Sequence, residues 1–101
     1  MGQHWSDTEL HRIRGELLLK REPANFAPAE EALLTAIAIA QQQRAKSFEL
    51  RAALSLAKFY QSTNRLLEAR EVLAPVLKDF SPTAEFPEIV EAQALLAALA
   101  G

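Results

Sequence analysis

Apolar residues recur every three to four positions along most of this 101-residue chain, in stretches separated by short polar segments. This spacing is typical of amphipathic helices, and no stretch alternates apolar and polar residues for long enough to predict a strand. The pattern predicts about five helices, over residues 7–21, 28–44, 47–63, 65–80 and 86–100 approximately. We therefore predict one all-α domain that spans residues 1–101.

Several residues mark the predicted ends of these helices. Ser6 and Glu9 have the spacing of a capping box at the start of the first helix, and Ser47 is a predicted N-cap of the third. Pro23 is expected to end the first helix near Arg21. Asn64 is expected to take a left-handed conformation in a short turn, which would set the third and fourth helices antiparallel.

The same spacing predicts which residues face the interior. In the first helix Leu10, Ile13, Leu17 and Leu18 form the apolar set, whereas the second helix is apolar nearly all round from Ala32 to Ala40 and should be covered on more than one side. The predicted inner faces of the last three helices are Leu50, Ala53, Leu54, Ala57 and Tyr60; Leu66, Ala69, Val72, Leu73, Val76, Leu77 and Phe80; and Ile89, Ala92, Leu95, Leu96 and Leu99.

Composition narrows the possible classes of protein. Half of the residues are apolar, and 11 Lys+Arg against 13 Asp+Glu give a formal charge of −2, which argues against a disordered tail and against a nucleic-acid binder. The chain has no cysteine, which fits a cytoplasmic protein. Its longest apolar run, Ala36 to Ala40, is far short of a membrane span, so we expect no membrane partner.

Small residues recur at matching places in two predicted helix pairs. Ala57 and Tyr60, followed by Ala69 and Leu73, have the spacing of a tetratricopeptide repeat, and Gly15 with Ala29 repeats part of it. We expect the small residues to let neighbouring helices approach closely. This resemblance implies antiparallel helix pairs, over about 7–44 and 47–80, stacked with a terminal helix as a short right-handed tetratricopeptide-like (TPR-like) solenoid; a generic helical bundle is the alternative.

Four segments show a resemblance that is more specific than the repeat spacing. Residues 9–19, 47–53, 68–76 and 91–96 resemble the C-terminal helical repeats of large bacterial signalling proteins, in which a class III adenylate/guanylate cyclase or a transcriptional activator is joined to an AAA-type ATPase. The sequence contains no cyclase metal-carboxylate motif and no phosphate-binding loop. The resemblance therefore implies a non-catalytic regulatory or scaffold module, whose partner is a protein, a peptide or the upstream domains of the same polypeptide.

Candidate catalytic residues are few. His4, Asp7 and His11 could share a helix face, but a metal site needs three or four converging ligands with supporting partners, so we favour solvated or packed side chains. The acidic pair Glu30 and Glu31 is better explained by solvation on a helix surface. We therefore predict no catalytic residue, no metal and no cofactor.

A binding groove is the better candidate. In tetratricopeptide arrays the first helix of each pair lines a concave surface, and carrying those positions over gives Arg12, Glu16, Leu19, Lys20, Arg51, Leu54, Lys58 and Gln61. The basic members are spaced to meet carboxylates of a bound peptide. An ordinary solvated surface is the alternative.

Self-association is a second functional hypothesis. The last helix reads Ala94–Ala100 with little polarity, and Trp5 lies near the other end of the chain. Terminal repeats normally carry a polar outer surface. Apolar ends could instead be buried in a homodimer that recognises no peptide.

Overall fold

The computed structural model describes residues 5–22, 24–78 and 87–100, with side chains from Thr8 to Leu99 within these ranges. Over the described residues the chain forms five α-helices and no strand, which confirms the all-α prediction. The helices are α1 (Trp5–Arg21), α2 (Ala27–Gln43), α3 (Lys46–Ser62), α4 (Leu66–Leu77) and α5 (Pro87–Ala100).

Helix α3 is at the centre of the arrangement. Each helix packs on the next one along the chain, and α3 in addition contacts both α1 and α5. The described residues of α2 and α4 do not contact one another. As a result α1, α3 and α5 lie side by side with α3 in the middle.

The hydrophobic core follows most of the predicted inner faces. All five residues predicted for α3 are buried, as are Ala69, Leu73 and Val76 of α4 and Ile89, Ala92 and Leu99 of α5. Helix α2 buries residues around much of its circumference, in agreement with the expectation that more than one neighbour covers it. Burial of this apolar surface is the main force that holds the five helices together.

Small residues let the helices approach closely. Gly15, Ala29, Ala57 and Ala69 are all buried. A Cβ added to Gly15 would lie only 3.1 Å from the carbonyl oxygen of Ala29, a backbone atom of α2. The predicted close approach of the first two helices at Gly15 is therefore confirmed.

The prediction for the inner face of α1 is wrong for three of its four residues. Leu10, Ile13 and Leu17 are exposed, Leu18 is half-buried, and the buried residues of α1 are Thr8 and Gly15. The apolar periodicity identifies one side of the helix, but α2 and α3 pack on the opposite side. Helices α2 and α3 can pack on this side because Gly15 has no Cβ and so permits a close approach that a larger residue would prevent.

Two predicted helix starts also differ from the structure. Helix α1 begins at Trp5, so Ser6 is already inside the helix and not its N-cap. Helix α3 begins at Lys46 after the N-cap residue Ala45, which has no side chain able to cap, and Ser47 is inside it. The tertiary contacts of these helices outweigh the capping preference of serine.

The helix ends are closer to expectation. Asn64 has the predicted left-handed conformation, with φ of 63°. Arg44 closes α2 in the same way, with φ of 55°, which the sequence did not indicate. Helix α4 continues through Pro75 to Leu77, with Lys78 as its C-cap residue. Residues 79–80 of its predicted extent, which include Phe80, lie outside the described residues, as does Pro23.

A polar cluster ties three helices together beside the core. The Tyr60 hydroxyl donates a hydrogen bond of 2.6 Å to Oε2 of Glu30, on α2. The Arg65 guanidinium, just before α4, lies 4.3 Å from the centre of the Tyr60 ring and 3.2 Å from the same carboxylate oxygen. Burial and the hydrogen bond to Glu30 raise the pKa of Tyr60, so the phenol stays a hydrogen-bond donor at neutral pH.

Candidate functional site

A cleft of about 330 Å³ opens where α1, α3 and α5 lie side by side. Its lining carries six charged side chains, one serine and one leucine. We call it the concave cleft; it is lined by Arg12, Glu16, Arg51, Leu54, Ser55, Lys58, Glu88 and Glu91.

Helical spacing explains why these residues converge. Positions three or four apart share one side of a helix, as do Arg12 and Glu16 on α1, or Glu88 and Glu91 on α5. Because α3 contacts both helices, the three sides meet in one surface. Leu54 is buried and forms the apolar part of this lining.

On the α1 side, Arg12 lies between two carboxylates. Its Nε and Nη2 donate to the two oxygens of Glu9 at 2.9 and 3.1 Å, and its Nη1 donates to Glu16 Oε2 at 3.0 Å. Burial would raise the pKa of Glu9, but Arg12 and Arg51 outweigh it and hold that pKa below its ordinary value. Glu9 is therefore a firmly ionised partner of both arginines at neutral pH.

The cations of α3 bridge the neighbouring helices. Arg51 Nη1 lies 3.2 Å from Glu9 Oε1 on α1, and its Nε lies 3.4 Å from Glu88 Oε2 on α5. Lys58 forms an ion pair with Glu91, also on α5. The three basic residues that line the concave cleft are thus all paired with carboxylates of the protein itself.

Five of the eight residues predicted for the groove line this cleft: Arg12, Glu16, Arg51, Leu54 and Lys58. The other three lie elsewhere. Leu19 packs partly buried against the core, while Lys20 and Gln61 are exposed and do not line the cleft.

The sequence interpretation missed Ser55, Glu88 and Glu91. The Ser55 hydroxyl donates a hydrogen bond to Glu16 across the α1–α3 contact. The two glutamates lie three residues apart at the start of α5, just as Glu9 and Arg12 do near the start of α1. Treating the terminal helix as a third lining helix would have found them.

The cleft offers ionic contacts more readily than metal coordination. No group of three or more His, Asp or Glu side chains suited to a metal ion occurs in the described part of the chain. His11 lies partly exposed on α1, and the side chains of His4 and Asp7 lie outside the described residues. Within the described ranges, no helix combines the length and apolar character needed to cross a membrane.

Comparisons with protein-family models, with curated proteins and with solved structures find no match to this chain. The family resemblance therefore rests on the residues quoted for it.

Proposed function

We propose that the protein is a non-catalytic protein–protein interaction module that binds a carboxylate-bearing segment of its partner in the concave cleft. The observation that carries this proposal is the cleft itself. Arg12 on α1 and Arg51 and Lys58 on α3 lie on one concave surface, which α5 completes with Glu88 and Glu91. The side-by-side placement of α1, α3 and α5 also supports a tetratricopeptide-like stack of helix pairs.

A partner carboxylate can replace the carboxylates that pair with Arg51 and Lys58 of α3 with little loss of free energy. The side chains of Lys58 and Glu91 are about half exposed, at 51% and 50%, and Arg51 and Glu88 are only somewhat less so. Ion pairs with this exposure contribute about 0–1 kcal/mol each. A carboxylate from a partner can replace Glu88 or Glu91 at a similar energy, and arginine can hold it through two hydrogen bonds.

The lining favours a polypeptide segment over a small molecule. Pockets for small ligands are mostly apolar with a few polar groups, whereas Leu54 is the single apolar residue of this lining. A peptide with several charges matches a surface that alternates acidic and basic side chains. In this role the module makes and breaks no covalent bond.

The family resemblance suggests where the partner is found. In the proteins that the sequence resembles, the repeats follow an AAA-type ATPase and a cyclase or transcriptional activator. We infer that the chain acts as the C-terminal regulatory tail of such a signalling protein, with the upstream ATPase domain as the partner.

The test is a binding titration of the chain against that ATPase domain and against a panel of acidic peptides, followed by fluorescence anisotropy. Arg51→Glu combined with Lys58→Glu should weaken binding at least tenfold. The matched control is Arg70→Glu with Lys78→Glu, two equal charge reversals at exposed residues of α4 and its end. Equal affinities of the two double variants would rule out the concave cleft as the binding surface.

A further inference from the structure

Helix α1 exposes an apolar stripe on the side that faces away from α2 and α3. The exposed fractions of Leu10, Ile13 and Leu17 are 65%, 45% and 53%, far above those of core residues. These three residues, which we call the outer stripe, are spaced three and four apart, as in the contact line between two paired helices. Lys20 follows at the next position and ends the stripe.

Charged residues border the outer stripe on both sides. Arg14 and Arg21 lie seven residues apart along one edge, and neither forms an ion pair with another described residue. Glu9 and Glu16 lie seven residues apart along the other edge; both bind Arg12, but the Glu16 side chain is 42% exposed and that of Glu9 only 17%, so Glu16 is the carboxylate of this edge that a second copy can reach. One edge is therefore basic and the other acidic.

We propose that the outer stripe binds the same stripe of a second copy of this chain, with the two α1 helices parallel about a two-fold axis. In a parallel pair the basic edge of each copy faces the acidic edge of the other, so that Arg21 meets Glu16. An antiparallel pair would set Arg14 against Arg21 of the other copy, which is repulsive. Because the contact uses the same surface on both copies, it closes as a dimer and adds no third copy.

The width of the stripe favours a helix as the occupant over a membrane surface. Helices that lie in a lipid interface carry a broad apolar side, whereas the outer stripe is one residue wide. Helix α1 is already ordered by its contacts with α2 and α3, so pairing requires no further folding. Three side chains per copy nonetheless bury much less than the roughly 800 Å² per partner of a standard interface, so the dimer should be weak and its fraction should rise with protein concentration.

The first experiment is sedimentation equilibrium of the full chain from about 10 μM to 1 mM. We expect a monomer–dimer equilibrium that Leu17→Ser weakens at least tenfold. The matched control is Leu34→Ser on α2, where a leucine of nearly equal exposure, 47%, lies outside the stripe. The control should change the dissociation constant less than twofold, and circular dichroism of both variants checks that they fold.

The second experiment tests the orientation, and the absence of cysteine from the chain makes it simple. Leu10→Cys alone and Leu17→Cys alone should each form a disulfide-linked dimer under mild oxidation, because a parallel pair brings identical positions together. An antiparallel pair would instead link the two variants only when they are mixed.

Several results would overturn the proposal. The first is a monomer at all concentrations, and the second is a mass that grows beyond that of a dimer. The third is a dimer that Leu34→Ser weakens as much as Leu17→Ser does. The fourth is a monomeric protein that sediments with anionic vesicles and loses this binding in Leu17→Ser. None of them bears on the concave cleft, whose own test is peptide binding. The two proposals can therefore fail separately.

Discussion

The Cγ atom of Leu33 lies 2.8 Å from the point that a Cβ would occupy on Gly15. Leu33 is fully buried, and the atom concerned is the branch point of its side chain. Contacts this short do not occur between real carbon atoms, so the position requires glycine unless α1 and α2 move apart. The contact fixes the separation of the first two helices.

We predict that Gly15→Ala destabilises the protein by up to about 2 kcal/mol. Alanine should gain about 1 kcal/mol of helix propensity, but overpacking against a buried leucine and a backbone oxygen costs about 1–3 kcal/mol or more. Urea denaturation followed by circular dichroism measures the difference in the free energy of unfolding.

The control is the same change in a Leu33→Ala background, which removes both Leu33 atoms near the new Cβ but leaves the Ala29 carbonyl oxygen at 3.1 Å. There Gly15→Ala should destabilise the protein less, and the coupling between the two sites should be about 1 kcal/mol. A stabilising effect of Gly15→Ala in the unmodified protein would contradict the close approach.

Sequence patterns predict the later helices better than the first one. For α3, α4 and α5 the apolar spacing coincides with the packed side, except at Leu66 of α4, which the spacing predicts to face the interior but which is 42% exposed. On α1 Leu10, Ile13 and Leu17 face solvent, whereas Leu19 packs partly buried against the core and the packed side is marked by Gly15. Apolar periodicity alone cannot separate these two situations, since it reports which residues share a side and not which side has a neighbour.

The candidate site was predictable in part for a similar reason. Arg12, Arg51 and Lys58 follow from repeat spacing, which places them on one surface. The pairing of Arg51 with Glu88 and of Lys58 with Glu91 depends on how α5 packs against α3, and that is a long-range contact. The sequence therefore indicates the cations of the cleft but not that their charges are already satisfied.

The hydroxyl of Tyr60 supports a second prediction. Tyr60→Phe removes the 2.6 Å hydrogen bond to Glu30 while keeping the buried ring. Hydrogen bonds to charged groups contribute about 1.5–3 kcal/mol to stability. Because Glu30 keeps its contact with Arg65, we expect the free energy of unfolding to fall by an amount near the lower value. Urea denaturation provides the measurement.

The matched control for this change is Tyr60→Phe in a Glu30→Gln background. If the hydroxyl acts through the carboxylate, Tyr60→Phe should lower the free energy of unfolding by a smaller amount in the Glu30→Gln background. An equal loss in both backgrounds would assign the effect to the ring environment.

The lowered pKa of Glu9 predicts a dependence of stability on pH. Because this carboxyl binds its proton less readily in the folded protein than in the unfolded chain, its stabilising contribution is present above the ordinary value of 4.5 and is lost as the pH falls through the lowered pKa. Glu9→Gln should therefore reduce the difference in free energy of unfolding between pH 7 and pH 3. Urea denaturation at the two pH values measures it.

The comparison for Glu9→Gln is Glu71→Gln, at an exposed carboxylate of α4 that has no ion pair with the described residues. That variant should retain the acid sensitivity of the unmodified protein. Equal acid sensitivity of Glu9→Gln and the unmodified protein would show that Arg12 and Arg51 do not stabilise the Glu9 carboxylate.

The carboxylates of α5 provide the sharpest prediction for the concave cleft. Glu88→Gln combined with Glu91→Gln leaves Arg51 and Lys58 without their α5 partners, while the exposure of these two ion pairs limits the change in the free energy of unfolding to about 0–1 kcal/mol for each pair. If a partner carboxylate competes with these glutamates, its affinity should rise about threefold to tenfold, and fluorescence anisotropy with an acidic peptide measures that rise. A fall in affinity would mean that the glutamates themselves contact the partner. The cleft would then bind through these glutamates, and its proposed role of holding a partner carboxylate with Arg51 and Lys58 would be wrong.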